Sequence, residues 1–173
     1  MAGSIERAME AALLEAKLAA QAGEAPVGAA VLCGEEIVAL AGNAREASCD
    51  PTAHAEVLAL RRAAKQLGRR RLSGCTLVVT LEPCPMCAGA ALLAEVDRIV
   101  FGAYDPAKGC AGSVYCLPED PLLGKIPCLG GVREAECAAL MTDFFRERRG
   151  EAQKRMRTLD AERGREYNND LSI

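Results

Sequence analysis

Thr76 to Thr80 reads Thr-Leu-Val-Val-Thr, a β-branched, uncharged run that stops at Glu82-Pro83-Cys84-Pro85. A strand with no polar face suits burial on both sides. Such a strand needs other layers over both faces of its sheet, and the alternation of helices and strands along the chain describes an α/β layered sheet that provides them.

The remaining segments supply those layers. Ile5, Met9, Ala12 and Ala16, with Leu13 beside them, follow helical spacing and predict a helix from Ser4 to Ala22, broken by Gly23-Glu24-Ala25-Pro26. Val27–Cys33 and Ile37–Ala41, separated by Gly34-Glu35-Glu36, read as two strands joined by a tight turn. Gly42–Cys49 reads as a loop. Asp50-Pro51 predicts the start of a second helix, with Asp as N-cap and Pro at its first position, running to Leu67 and ended by Gly68. Pro85 opens a helix through Ala94, Arg98–Gly102 is the next strand, and Glu134–Arg149 is the last helix. Residues 103–131 are rich in Gly and Pro and read as long loops. The chain has 173 residues. They divide into one domain, 1–150, and a polar tail, 151–173, expected to fray.

Half of the residues are hydrophobic, enough for a full core, and a net charge of −3 excludes a wholly basic nucleic-acid binder but not a local basic patch. Apolar stretches such as Ala25–Cys33 are far shorter than the ~20 residues of a membrane span. Glu6, Glu10 and Glu15 interrupt any signal-peptide core in Met1–Ala20. The nine cysteines are an odd number without an export signal. They point to a reduced, cytoplasmic protein with a metal site or buried thiols rather than a disulfide framework.

Two fragments carry metal chemistry. His54-Ala55-Glu56 and Pro83-Cys84-Pro85-Met86-Cys87 each stand near a predicted helix start. Thiolates three residues apart at a helix N-terminus can face one ion, and the unpaired N–H groups there favour the thiolate. His54, the single histidine, joins Cys84 and Cys87 as three ligands for Zn2+, leaving the fourth position of a catalytic site for water. Glu56 lies about 200° round a regular helix from His54. The two share a target only at a helix start, where Glu56 serves as the base that moves the water's proton. His-x-Glu followed by Pro-Cys-x-x-Cys is the zinc deaminase pattern. The competing reading recruits Cys49 or Cys75 as a fourth ligand and makes the zinc structural.

The sequence resembles the TadA-type tRNA adenosine deaminases of the cytidine deaminase-like superfamily. The likeness runs from about Glu24 to Arg149, through Ala25-Pro26-Val27-Gly28-Ala29, Asp50-Pro51-Thr52-Ala53-His54-Ala55-Glu56, Thr80-Leu81-Glu82-Pro83-Cys84-Pro85-Met86-Cys87-Ala88-Gly89-Ala90, Val100-Phe101-Gly102-Ala103, Gly112-Ser113 and Asp143-Phe144-Phe145-Arg146. It implies a three-layer α/β/α fold on a central, mostly five-stranded mixed sheet, with one Zn2+ per subunit. The implied reaction is hydrolytic deamination of the wobble adenosine to inosine with release of ammonia, in the arginine tRNA with anticodon ACG. Glu56 is the implied proton carrier. Asn43, Val27, Asp105, Phe145 and Arg146 match substrate-binding positions, the partner is a tRNA anticodon stem-loop, and the enzyme is a homodimer.

Other readings stand beside it. Residues 146–165 carry eight Arg and Lys against four acids, which suits phosphate contact but also a solvated helix end; Arg69-Arg70-Arg71 reads as the latter. Phe101 reads as core, and one of Phe144 and Phe145 as core with the other facing RNA. Asn43 and Asp105-Pro106 are also common turn residues. An enzyme for free bases or nucleosides shares the zinc chemistry, and a zinc-stabilised module without catalysis shares the ligands.

Overall fold

The computed structural model describes residues 2–170. The chain divides into two compact units, Met1–Met141 and Thr142–Ile173. The first opens with helix α1 (Ala2–Gln21), followed by strands β1 (Gly28–Cys33) and β2 (Glu36–Gly42) and a short helix α2 (Arg45–Ser48). Helix α3 (Ala55–Gln66), strand β3 (Cys75–Leu81), helix α4 (Pro85–Ala94) and strand β4 (Arg98–Ala103) come next. A 3-10 turn at Leu117–Glu119, strand β5 (Cys128–Leu129) and helix α5 (Glu134–Asp170) complete the order.

The five strands form one mixed sheet in the order β2-β1-β3-β4-β5. β1 runs antiparallel to β2 and β3, whereas β3–β4 and β4–β5 are parallel. Alternate residues of β1, β3 and β4 feed two separate cores, as the pleat requires. Ala29, Val31, Leu77, Val79, Ile99 and Phe101 meet Ala55, Ala59, Leu60, Ala63 and Ala91 of α3 and α4 on one face. Ala30, Leu32, Val78 and Val100 meet Ala8, Met9, Ala12 and Leu13 of α1 and Cys137 of α5 on the other. This is the three-layer α/β/α fold on a five-stranded mixed sheet that the family resemblance implied. Alanine dominates the helix faces, so helices lie close to the sheet; at Gly28 any Cβ would overlap the Ala12 carbonyl oxygen of α1.

Three boundaries differ from the sequence reading. α3 begins at Ala55, not at Pro51, because Asp50 Oδ1 accepts bonds from the Thr52 N–H and hydroxyl, both at 2.7 Å, and closes a turn instead of capping a helix. Residues 45–48 of the expected loop coil into α2. The last helix continues past Gly150 to Asp170; a single glycine costs only about 1 kcal/mol, and the flanking Glu, Ala, Gln, Lys and Arg are good helix formers. Of the expected tail, 171–173 lie outside the described residues. Among the described residues, no helix is long and apolar enough to cross a membrane.

Candidate metal centre and active site

Two helix starts build the site. His54 is the N-cap of α3 and Cys84 the N-cap of α4, both with extended backbone (φ −73°, ψ 149° and φ −72°, ψ 172°). Helix caps are usually Ser, Thr, Asp or Asn, whose side chains bind the free N–H groups. Neither His54 nor Cys84 makes such a bond. Both are thereby left to turn outward, while their carbonyls already accept the first helical bonds from Leu58 and Ala88 at 3.0 and 2.9 Å. Pro85 occupies the first helical position, where its missing N–H costs nothing. Because His54 stands before its helix, it and Glu56 at the second helical position escape the 200° separation that would part them in mid-helix.

His54 Nδ1 lies 3.8 Å from Cys84 Sγ and 3.5 Å from Cys87 Sγ, and all three donor atoms fall within 4.8 Å of one another. A tetrahedral Zn2+ with sulfur and nitrogen ligands sets the S···N separation at about 3.6 Å, so the donor set fits zinc in both chemistry and spacing. Among the described residues it is the one His/Cys/Asp/Glu group that does. Cys49 is exposed, its thiol directed to the Glu46 carbonyl, and Cys75 is buried beside Cys33; neither joins the group, which leaves three ligands rather than four.

The electrostatics set this trio apart. The Cys87 thiol beside it, and then the His54 ring, hold Cys84 down to about 4 against the effect of its own burial. Cys84 in turn raises His54 and Cys87 above their ordinary values. Outside the group, burial pushes Cys75 and Cys137 up to about 11 and Cys128 to about 12, so it is the lowered Cys84 that marks the site.

Glu56 is 3% exposed, and burial pushes its carboxyl above the usual range. Its Oε2 has no hydrogen-bond partner, alone among the buried side-chain oxygens and nitrogens of the described residues. A buried carboxyl oxygen without a partner costs stability. Placed beside three metal ligands, it is suited to taking a proton from something bound there.

A pocket of about 180 Å³ opens on this group. Val27 and Asn43 line it from the sheet side, and Asp105 and Lys108 from the loop after β4, with His54, Glu56 and Cys84 at its floor. Asp105 does double duty: its Oδ1 also accepts the Ala107 and Lys108 N–H groups at 2.9 and 3.1 Å, the turn that Asp-Pro predicts. Phe145 and Arg146 belong to the second unit. There Phe145 is 44% exposed against the edge of Phe144, and Arg146 pairs with Asp143 at 2.7 Å. Phe144 is half-buried beneath the Arg148 guanidinium, so neither of the two rings is core. Arg70 and Arg71 pair with Glu95, as a solvated helix end should.

Three charged residues of the pocket lining escaped the sequence reading: Lys108, named above, Arg45 and Glu82. Arg45 lines the pocket from α2, an element read there as loop. Glu82 is 2% exposed at the end of β3. It accepts the N–H groups of Asp105 (3.0 Å), Ala111 (3.0 Å) and Ser113 (2.9 Å) as well as the Ser113 hydroxyl. Burial alone would raise this carboxyl, but Ser113 and the other two donors outweigh it and hold Glu82 below the usual range. The available signal was an acid standing between an apolar strand and a metal-ligand proline motif, where burial of a charge demands many partners.

Known proteins are similar to this chain in sequence and fold. Residues 3–103 match the cytidine and deoxycytidylate deaminase zinc-binding region. The tRNA-specific adenosine deaminase of Bacillus subtilis is 47% identical over 142 residues, covering 82% of this chain and 88% of that protein. A solved structure from a study of A-to-I editing by tRNA:A34 deaminases at the wobble position superposes with a TM-score of 0.75 and 38% identity, over 78% of this chain and 98% of the other. The guanine deaminase of Nitrosomonas europaea is more distant, at 26% identity and a TM-score of 0.69, over 80% of this chain and 83% of the other. The chain therefore belongs to the zinc-dependent deaminases and, within them, to the tRNA-specific adenosine deaminase family.

Proposed function

We propose that this protein deaminates the wobble adenosine of tRNA to inosine, with the ACG-anticodon arginine tRNA as its principal substrate. The observation that carries the reading is the orphaned, buried Glu56 oxygen beside the His54, Cys84 and Cys87 donors. The likeness to tRNA-specific adenosine deaminases directs it to an adenosine in RNA. When bound by those three side chains, Zn2+ lowers the pKa of a water toward neutrality.

Glu56 Oε2 takes a proton from the attacking water and delivers it to N1 of the adenine ring. The oxygen becomes bonded to C6. Glu56 then moves the second proton to the exocyclic amine, which leaves as ammonia when the C6–N bond breaks. Adenosine and water are consumed, inosine and ammonia are formed, and Glu56 returns to its starting state. Val27 and Asn43 orient the base in the pocket. Asp105, at the pocket edge, and Phe145 and Arg146, exposed on α5, contact the anticodon stem-loop. A target base must leave its stack to reach so buried an acid. The deaminase domain spans 1–150 with 151–173 as a tail, and the protein acts in the cytoplasm as a homodimer with one Zn2+ per subunit.

The test is inosine formation at the wobble position of ACG-anticodon arginine tRNA, read as an A-to-G change on sequencing, with zinc-loaded protein. Conversion that disappears in Glu56→Ala, with zinc content unchanged, supports the reading. Folded, zinc-containing protein that leaves the tRNA intact and releases ammonia from free bases or nucleosides overturns it.

A further inference from the structure

We propose that Glu24 is a positioning residue for substrate recognition, holding the Asn43 amide in one orientation; this deepens the reading of Asn43 given above and rests on it. Glu24 follows α1 in the Gly23-Glu24-Ala25-Pro26 break and is 2% exposed. It does not line the pocket but lies behind Asn43, which does. Both of its oxygens accept hydrogen bonds, Oε2 from Asn43 Nδ2 at 3.0 Å and Oε1 from the Ala47 N–H at 2.8 Å.

An amide side chain has a donor end and an acceptor end of nearly the same shape, and its partners decide which way it turns. The acid takes the nitrogen end, so Oδ1 points away from it. The Asn43 main chain is fixed as well, its N–H donating to the Val27 carbonyl at 2.9 Å. Asn43 therefore offers a bound nucleoside an acceptor oxygen and one remaining N–H in a single order. Through Ala47 the same carboxyl fastens α2, which carries Arg45 to the pocket. A buried acid spent on two such bonds serves recognition of the substrate and not the proton transfers of Glu56.

A double-mutant cycle on zinc-loaded, full-length protein tests this, with Glu24→Gln and Asn43→Ala made singly and together and assayed on tRNA. The introduced glutamine keeps an acceptor for Ala47 but turns an NH2 group toward Asn43, which forces that amide to reverse. The expected result is a KM raised about tenfold by Glu24→Gln with kcat changed less than about twofold, and no further loss when it is added to Asn43→Ala. Additive losses, a fall in kcat at constant KM, or an Asn43→Ala variant with unchanged KM would each overturn the proposal alone. Wild-type protein inactive on tRNA overturns the functional reading and this one together.

Thermal unfolding and zinc content check that Glu24→Gln is folded. If it is not, Glu24→Gln combined with Asn43→Asp restores the buried pair with donor and acceptor exchanged and still turns an oxygen to the pocket. Recovery of fold with a KM below that of Asn43→Ala supports the proposal, since the aspartate regains the acceptor but not the N–H of Asn43. A folded pair with the KM of Asn43→Ala, or no recovery of folding, overturns it.

Discussion

The start of α3 and the end of β3 each bury one glutamate, and the two acids are treated in opposite ways. Glu82 is surrounded by donors from Asp105, Ala111 and Ser113, and its carboxyl is held below the usual range. Glu56, nearly as buried, has an oxygen without a partner, and its carboxyl is pushed up. Burial is common to both, so burial does not assign a role. The number of satisfied bonds does: a saturated carboxylate holds the chain in place, and an unsaturated one has proton affinity to spend.

Removing each acid breaks the comparison most directly. Glu56→Ala is expected to lower kcat for tRNA deamination by about 10²–10⁴-fold. Zinc content by metal analysis should be retained, and Tm should fall less than for Glu82→Ala, because Oε2 has no hydrogen bond to lose.

Glu82→Ala should do the reverse to stability, costing roughly 2–4 kcal/mol by denaturant unfolding because three loop N–H groups lose their acceptor inside the protein. The pH dependence follows in sign. A carboxyl with a lowered folded value contributes stability that is fully present above its unfolded value of about 4.5 and is lost as pH falls through the folded one. The stability gap between wild type and Glu82→Gln should therefore narrow on acidification below about pH 4.5. A gap that widens there would contradict the assignment.

Gly109→Ala sharpens the same point from the loop side. A Cβ at Gly109 would overlap the Glu82 carboxyl and the Asp105 carbonyl. A loss of about 1–3 kcal/mol in unfolding experiments is expected, together with weaker tRNA activity as the Asp105 loop shifts. Arg146→Ala is the smallest change. Its partner Asp143 is an exposed neighbour on the same helix, so Tm should stay constant. If Arg146 meets phosphate, the slope of log affinity for tRNA against log salt should fall by about one; an unchanged slope would remove it from the RNA contacts.

Local signals located α4 to the residue, Pro85–Ala94, because a proline at the first helical position and an apolar run are short-range features. They misplaced the start of α3, where Asp50-Pro51 has the look of a cap but closes a turn with Thr52. Four residues hang on that difference. They put His54 at the cap and Glu56 in the first turn, which lets both address one point. Asn43 and Val27 were legible as pocket residues through the family likeness. Glu24, Arg45 and the bonds of Glu82 were not, since their partners lie up to 31 residues away.

The sequence by itself determined the layered α/β architecture, brought out His54, Cys84 and Cys87 as the candidate metal group, and singled out Glu56 as the proposed proton carrier. Strand hydrophobicity, helix punctuation and ligand spacing are properties of neighbouring residues. Only the tertiary structure decided which buried carboxyls are satisfied, which way the Asn43 amide faces, and that Cys49 and Cys75 stay out of the metal group. Those outcomes depend on hydrogen bonds and approaches between distant segments, and no local pattern encodes a distance between two elements before they pack.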